Sequence, residues 1–244
     1  MPMLYNTVKQ KLIEGKPVVG ATIHSPDPAI CCAVAGAGFD FLWIEMQHSP
    51  LAYDDVARII WASRGNPAIP FIRVPDATEG DIQKATDVGA LGIVVPMVET
   101  AEKAQAAVKF AKFPPQGRRS SGQSQAKSLW GDDYRETAND NILLVAMIET
   151  PEGVAAADQI AAVAGIDVIF AASGDLASFS GHRQGQPAYE ALVTRIHDAV
   201  LNAGKKLGGP LSWHDRPGFT FFQGPTEAAL IRIGAAHAQP REKP

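Results

Sequence analysis

Four polar residues close apolar runs in this chain, and their types suggest chemistry. Glu149 ends the run Leu143-Leu144-Val145-Ala146-Met147-Ile148, Arg73 ends Pro70-Phe71-Ile72, and Glu45 ends Phe41-Leu42-Trp43-Ile44, with His48 three residues later. Asp175 follows a further run through Ala172-Ser173-Gly174. A carboxylate at the end of a buried run is too poorly solvated to stand alone and needs a cation or a proton. Glu149 is therefore either one half of a salt bridge or a ligand for a cation. Asp175 is either the N-cap of a helical turn over Leu176–Phe179 or a second ligand. If both are ligands, two hard oxygen donors with room for substrate and water suit Mg²⁺ or Mn²⁺, with Co²⁺ also open, rather than a closed zinc site. Arg73 offers a fork of donors for a carboxylate or a developing enolate oxygen, the alternative being a buried ion pair. His48 has the setting for acid–base work, because an acid three residues away can fix its tautomer. His24 ends another run and is a further candidate for the same mouth.

These residues need a scaffold that gathers strand ends. Eight short apolar runs read as strands: Val18–Ile23, Phe39–Glu45, Ile69–Val74, Gly92–Val98, Ile142–Glu149, Asp167–Ala172, Lys206–Leu211 and Ala228–Ile233. Between them lie helical patterns at Pro28–Ala37, Tyr53–Ser63, Glu79–Val88, Ala101–Lys112, Gly153–Ala164 and Tyr189–Ala203, most of them stopped by Gly. Thr78 and Thr150 are expected N-caps, the latter followed by Pro151. Strands alternating with helices imply a parallel sheet, and eight of them in 244 residues favour a closed α/β (β/α)₈ TIM-type barrel spanning 1–244. In such barrels catalytic groups sit at the C-terminal ends of the strands. The polar, Gly/Ser-rich stretch 116–141 reads as a long loop covering the active-site mouth, its Trp130 and Tyr134 shaping the substrate pocket. Residues 235–244 read as a tail, with the last helix shortened or missing.

Composition removes several classes of function. A net charge of −4, with no basic run, gives no case for nucleic acid or an anionic membrane. The two cysteines, Cys31 and Cys32, are neighbours in an apolar stretch, which excludes a disulfide framework and points to a reducing compartment. No stretch approaches the ~18 apolar residues a membrane span needs. The start of the chain is amphipathic rather than a signal sequence, so a cytoplasmic location is expected. No GxGxxG or GxxxxGK[ST] follows a strand, which weakens a nucleotide-binding reading.

The stretches AGAGFDFLWIEMQHSP (35–50), FIRVP (71–75), DVGALGIVVPMVET (87–100), FPPQGRR (113–119), AMIETPEG (146–153) and SGDLA (173–177) resemble, in order and context, the HpcH/HpaI family of class II, metal-dependent pyruvate aldolases. The resemblance implies aldol cleavage and condensation of 4-hydroxy-2-oxo acids, giving pyruvate and an aldehyde through an enolate stabilised by a divalent metal. It also implies a homo-oligomer. Glu149 and Asp175 match the metal-ligating carboxylates, and Arg73 the arginine that binds the pyruvyl group. His48 matches the proton-transfer histidine and Glu45 the acid that partners it. Asp87 matches a buried acid near the subunit interface, placed by the active-site mouth of the neighbouring protomer, and counts with His48, Arg73 and Glu45 among the catalytic candidates. Gly174, Asp175 and Met147 fall where the substrate is bound.

The chain also departs from that pattern. Glu45 is one methylene longer than the usual Asp, Gln47 replaces an acid, and Met147 replaces a Gln that donates near the substrate carboxylate. Two other functions compete: a citrate-lyase-like acyl-CoA lyase, for which Arg118 and Arg119 are the basic candidates, and an inactive 2-oxo-acid-binding barrel.

Overall fold

Strands buried on both faces must be apolar throughout, and the apolar runs become strands accordingly. The computed structural model describes residues 5–239. Strands β1 (Val18–Ile23), β2 (Phe41–Glu45), β3 (Ile69–Arg73), β4 (Gly92–Val95), β5 (Leu143–Ile148), β6 (Val168–Ala171), β7 (Lys206–Pro210) and β8 (Phe219–Thr226) pair in parallel in chain order, and β8 closes on β1. After α1 (Thr7–Ile13), the outer helices are α2 (Pro28–Ala35), α3 (Tyr53–Ala62), α4 (Glu79–Asp87), α5 (Ala101–Ala111), α6 (Ser124–Trp130) and α7 (Tyr134–Asn141). They continue with α8 (Pro151–Ala155), α9 (Ala157–Ala161), α10 (Ser173–Ser180), α11 (Pro187–Asn202) and α12 (Glu227–Ala238). Thr78 and Thr150 cap α4 and α8 as expected, accepting from the Asp81 and Gly153 N–H groups.

The barrel interior is filled by aromatic rings set against glycines. Phe41 packs on both Phe71 and Phe221 with ring centroids 4.7 Å apart, and Trp43 packs on Phe170 at 5.2 Å. Space for these rings comes from Gly20 and Gly92: a Cβ on Gly92 would stand 2.1 Å from the Phe71 ring, and one on Gly20 would stand 2.2 Å from Phe41. This packed plug closes the barrel below its C-terminal rim and leaves the polar strand ends above it.

Three expectations are corrected. The eighth strand is Phe219–Thr226, not Ala228–Ile233, and the last helix is present as α12. Phe221 of this strand points into the barrel, while Phe219 and Phe222 join the outer core. The apolar run after it is helical because the Thr226 side chain caps it, accepting from the Ala229 N–H. The expected tail is helical through Ala238, and 240–244 lies outside the described residues.

The second correction concerns 116–141, which contains α6 and α7 and leads from the end of α5 into the start of β5. A helix-to-strand connection lies at the N-terminal end of the barrel, opposite the strand ends that carry chemistry. Trp130 there stacks on Tyr5 at 5.5 Å and donates to the Gly89 carbonyl at 2.9 Å. The segment is a floor for its own barrel rather than a cover over the mouth. Third, the helix expected over Gly153–Ala164 breaks at Ala156 into α8 and α9.

Candidate active site

Inward-facing residues alternate along each strand, so the last inward residue of each strand stands at the rim. On β2 and β3 these are Glu45 and Arg73, paired in register; on β5 the next inward residue after Met147 is Glu149. The Arg73 guanidinium spans the gap between the two acids, with Nη1 3.3 Å from Glu45 Oε2 and Nη2 3.5 Å from Glu149 Oε2. All three are buried, at 2%, 6% and 1% exposure for Glu45, Arg73 and Glu149. The ion-pair reading of Arg73 leaves its substrate-binding reading open: Nη1 and Nη2 face carboxylates, while Nε is buried without a partner among the described residues.

Glu45 is tied down on both oxygens. Oε2 accepts from the Trp43 indole at 3.2 Å as well as from Arg73, and Oε1 accepts the main-chain N–H of Gln47 at 2.9 Å and of His48 at 3.1 Å. It orders the turn that carries His48 instead of contacting the imidazole. His48 itself is exposed. The expected carboxylate-to-imidazole bond is absent among the described residues.

Glu149 has one further partner that no sequence pattern announces. Its Oε1 accepts the Met97 N–H at 2.8 Å, and Met97 holds a left-handed φ of 52°, the one described residue other than glycine to do so. Such a conformation is unfavourable by roughly 1–2 kcal/mol for an L-residue, and it marks the turn after β4 as one shaped for this contact. Burial pushes the Glu149 carboxyl up to about 7, against the opposing pull of the Met97 N–H and the Arg73 charge, and the neighbouring Asp175 carboxylate adds to the rise.

Asp175 lies in the first turn of α10 and within hydrogen-bonding reach of Glu149. It is not the N-cap, which is Ala172. Two carboxylates this close, one of them buried, must share a proton or a cation. Among the described residues no three His, Cys, Asp or Glu side chains are grouped as a metal site, so the protein offers these two oxygen donors and leaves the remaining positions open. That donor set fits a hard divalent cation that also binds substrate. Beside it is a cavity of about 150 Å³ lined by Arg73, Met147, Gly174, Asp175, Pro210 and Gln223. A larger cavity of about 410 Å³ lies at the other end of the barrel, between Ile60, Pro70 and Trp130, and no carboxylate or histidine lines it. Size alone would choose the wrong end.

Asp87 does not join this cluster. It ends α4 on the floor side, 2.7 Å from Arg119, whose Nη1 bonds the Tyr134 hydroxyl at 2.9 Å. Burial raises its carboxyl, opposed by Arg119. Arg118 forms a two-pronged pair with Glu79 at 2.9 and 2.8 Å. Sequence reasoning missed Met97, Pro210 and Gln223. A main-chain donor leaves no signature, and the last two become visible only once the barrel is closed.

A family model described as HpcH/HpaI aldolase/citrate lyase matches residues 22–212. The chain is 35% identical over 195 residues to a 2-dehydro-3,6-dideoxy-6-sulfogluconate aldolase of Pseudomonas putida, covering 79% of this chain and 76% of the relative. It is 35% identical over 214 residues to a hydroxypyruvate/pyruvate aldolase of Roseovarius nubinhibens, covering 85% and 83%. Among solved structures, a HpcH/HpaI aldolase/citrate lyase family protein from Burkholderia cenocepacia superposes with a TM-score of 0.87 at 28% identity, over 96% of this chain and 97% of the other.

Proposed function

The chain belongs to the HpcH/HpaI aldolase/citrate lyase family, and on that premise we propose that it catalyses aldol cleavage and condensation of 4-hydroxy-2-oxo acids. The products of cleavage are pyruvate, or a related 2-oxo acid, and an aldehyde. The observation that carries this reading is the meeting of Glu149 with Asp175 and with Arg73, the latter two lining one small cavity.

Glu149 and Asp175 hold a divalent cation, Mg²⁺, Mn²⁺ or Co²⁺, which when bound supplies Lewis-acid polarisation of the 2-oxo carbonyl. The Met97 N–H and Arg73 aim the Glu149 carboxylate and favour its ionised form against the effect of burial. Arg73 presents Nε to the substrate oxygen on which negative charge grows as C3 loses its proton. His48 moves that proton, on a turn ordered by Glu45. In condensation the C3 carbanion equivalent attacks the aldehyde carbon, and the new alkoxide at C4 takes up a proton. Cleavage runs the same steps backwards. Met147, a thioether where a donor is usual, makes a drier wall beside the substrate and shifts preference among 2-oxo acids.

The acyl-CoA lyase reading loses its basic candidates, since Arg118 and Arg119 are engaged by Glu79 and Asp87. An inactive binder has no use for a strained main-chain donor aimed at Glu149. We further propose a homo-oligomer: Leu230 packs on the core, but beyond it α12 is exposed on every side, with Ile231 and Ile233 at 61% and 52% exposure. A second copy covering this end fits so apolar a helix. Among the described residues no helix is long and apolar enough to cross a membrane. Pyruvate released from a 4-hydroxy-2-oxo acid, detected by lactate dehydrogenase and lost on chelation with EDTA, tests the reaction. Release that is indifferent to EDTA overturns it.

A further inference from the structure

A bulge between β8 and β1 brings a second acid and imidazole to the rim. The register against β1 steps from Gly20–Gln223 to Thr22–Thr226, so β8 spends one residue more than β1 over that stretch. Gly224 permits this, because a Cβ there would stand 2.4 Å from the Gly20 carbonyl oxygen, and the Thr22 hydroxyl pins the bulge by donating to the Gly224 carbonyl at 3.1 Å. The extra residue lets Glu227 arrive beside His24. Both carboxylate oxygens accept the main-chain N–H of His24, at 3.1 and 3.2 Å, and Oε2 lies 3.9 Å from the ring Nδ1. The Glu227 side chain is 10% exposed and that of His24 is 39% exposed. One partner is fixed and shielded while the other is open to a ligand.

The side of the rim on which they stand decides what they meet. Val18 belongs to the interior cluster and Gly20 faces the Phe41 ring, whereas Ala21 and Ile23 belong to the outer core. By the same alternation His24, the residue after β1, falls in the inward series at the rim. The cavity beside Asp175 runs past Pro210 of β7 to Gln223 of β8, and β8 is the neighbour of β1. A 2-oxo acid held by Arg73, and by a cation that Glu149 and Asp175 would bind, would extend its far carbons along that path.

We propose that His24, positioned by Glu227, recognises a hydroxyl group on the aldehyde half of the substrate, so that the enzyme prefers hydroxylated aldehydes to alkyl ones. This rests on the aldolase reading above. A ring nitrogen can accept from or donate to a hydroxyl. An anionic tail is the poorer fit, because the Glu227 carboxylate already lies 3.9 Å from the ring Nδ1. Glu227 is a positioning residue and reaches the substrate only through His24.

The test is aldol addition of pyruvate, by the Mn²⁺-loaded full chain, to glycolaldehyde, to its near-isostere propanal and to succinic semialdehyde. The wild type is expected to favour glycolaldehyde. In His24→Phe that preference over propanal falls about tenfold, the worth of one lost hydrogen bond, and the loss lies mainly in KM for glycolaldehyde. The isosteric Glu227→Gln moves the same ratio in the same direction by less, which a general loss of folding would not do. A ratio unchanged within twofold in both variants overturns the proposal, as does equal loss for both aldehydes or a wild-type preference for succinic semialdehyde. Deuteration of pyruvate by the wild type in D₂O is measured alongside. If it is absent, the aldolase reading itself fails; if it is present and the aldehyde ratio is unmoved, only the role of His24 fails.

Discussion

Glu45 reaches His48 through the main chain: its Oε1 accepts the His48 N–H at 3.1 Å, and no protein group among the described residues bonds the imidazole. The acid at the end of β2 is thus a brace. It holds the turn bearing His48 with one oxygen and Arg73 with the other, coupling the proposed proton-transfer group to the arginine through one buried carboxylate.

Removing that charge has two consequences. Glu45→Gln leaves the Arg73 guanidinium facing one acid instead of two, and breaking a buried pair of this kind destabilises by about 3–5 kcal/mol. Calorimetry is expected to show a clear fall in Tm, and kcat to fall at least about tenfold as the His48 turn loosens. Glu45→Asp keeps the charge and is expected to lie between wild type and Gln on both measures. A Gln variant with wild-type Tm and kcat would show that the brace carries nothing.

Met147 lines the cavity and is 2% exposed. Met147→Gln is close in volume and adds an amide donor beside the bound 2-oxo acid. KM for pyruvate is expected to fall about fivefold with kcat changed less, as one added hydrogen bond of about 1 kcal/mol would produce. An unchanged KM places the substrate carboxylate elsewhere.

The carboxyl of Glu149, pushed up to about 7 from 4.5 by burial, is expected to make stability, and the proposed metal binding, depend on pH. The folded, metal-free protein holds this proton more tightly than the unfolded chain does. The group's contribution to stability is therefore full below about pH 4.5 and declines as pH rises through 7. Cation binding requires the ionised form, so affinity for Mn²⁺ is expected to rise about tenfold per pH unit below 7 and to level off above it, with about one proton released on binding at acid pH. Titration calorimetry in buffers of different ionisation enthalpy reads that proton. Affinity flat from pH 5.5 to 8 contradicts the shift.

Ile231 and Ile233 on α12 give the proposed oligomer a handle. Replacing both with Glu is expected to lower the mass seen by sedimentation while leaving the barrel's far-ultraviolet circular dichroism intact. A monomeric wild type, or a variant with the wild-type mass, removes α12 from the interface.

Much of this site was legible before the fold, because strand ends in a barrel are marked twice, by an apolar run and by the polar residue that stops it. Glu45, Arg73 and Glu149 were found that way. Asp175 was ambiguous between cap and ligand until α10 was seen to begin at Ser173, which makes Ala172 the N-cap. The eighth strand was misplaced because Phe219–Thr226 contains Gly224 and Pro225, which read as a loop, whereas Ala228–Ile233 is apolar enough to read as a strand. The bulge explains both residues, and the error hid Glu227. The stretch 116–141 was assigned to the wrong end of the barrel on composition alone, although its place between a helix and the next strand already dictated the floor.

Enolisation of pyruvate can be followed without knowing the aldehyde, by loss of the methyl proton signal in D₂O with Mg²⁺, Mn²⁺ or Co²⁺ and then with EDTA. Metal-dependent exchange is expected, abolished in Glu149→Ala and much reduced in His48→Ala. Folded wild-type protein that gives no exchange above buffer with any of the three metals would contradict the placing of pyruvate chemistry at Glu149, Asp175 and Arg73.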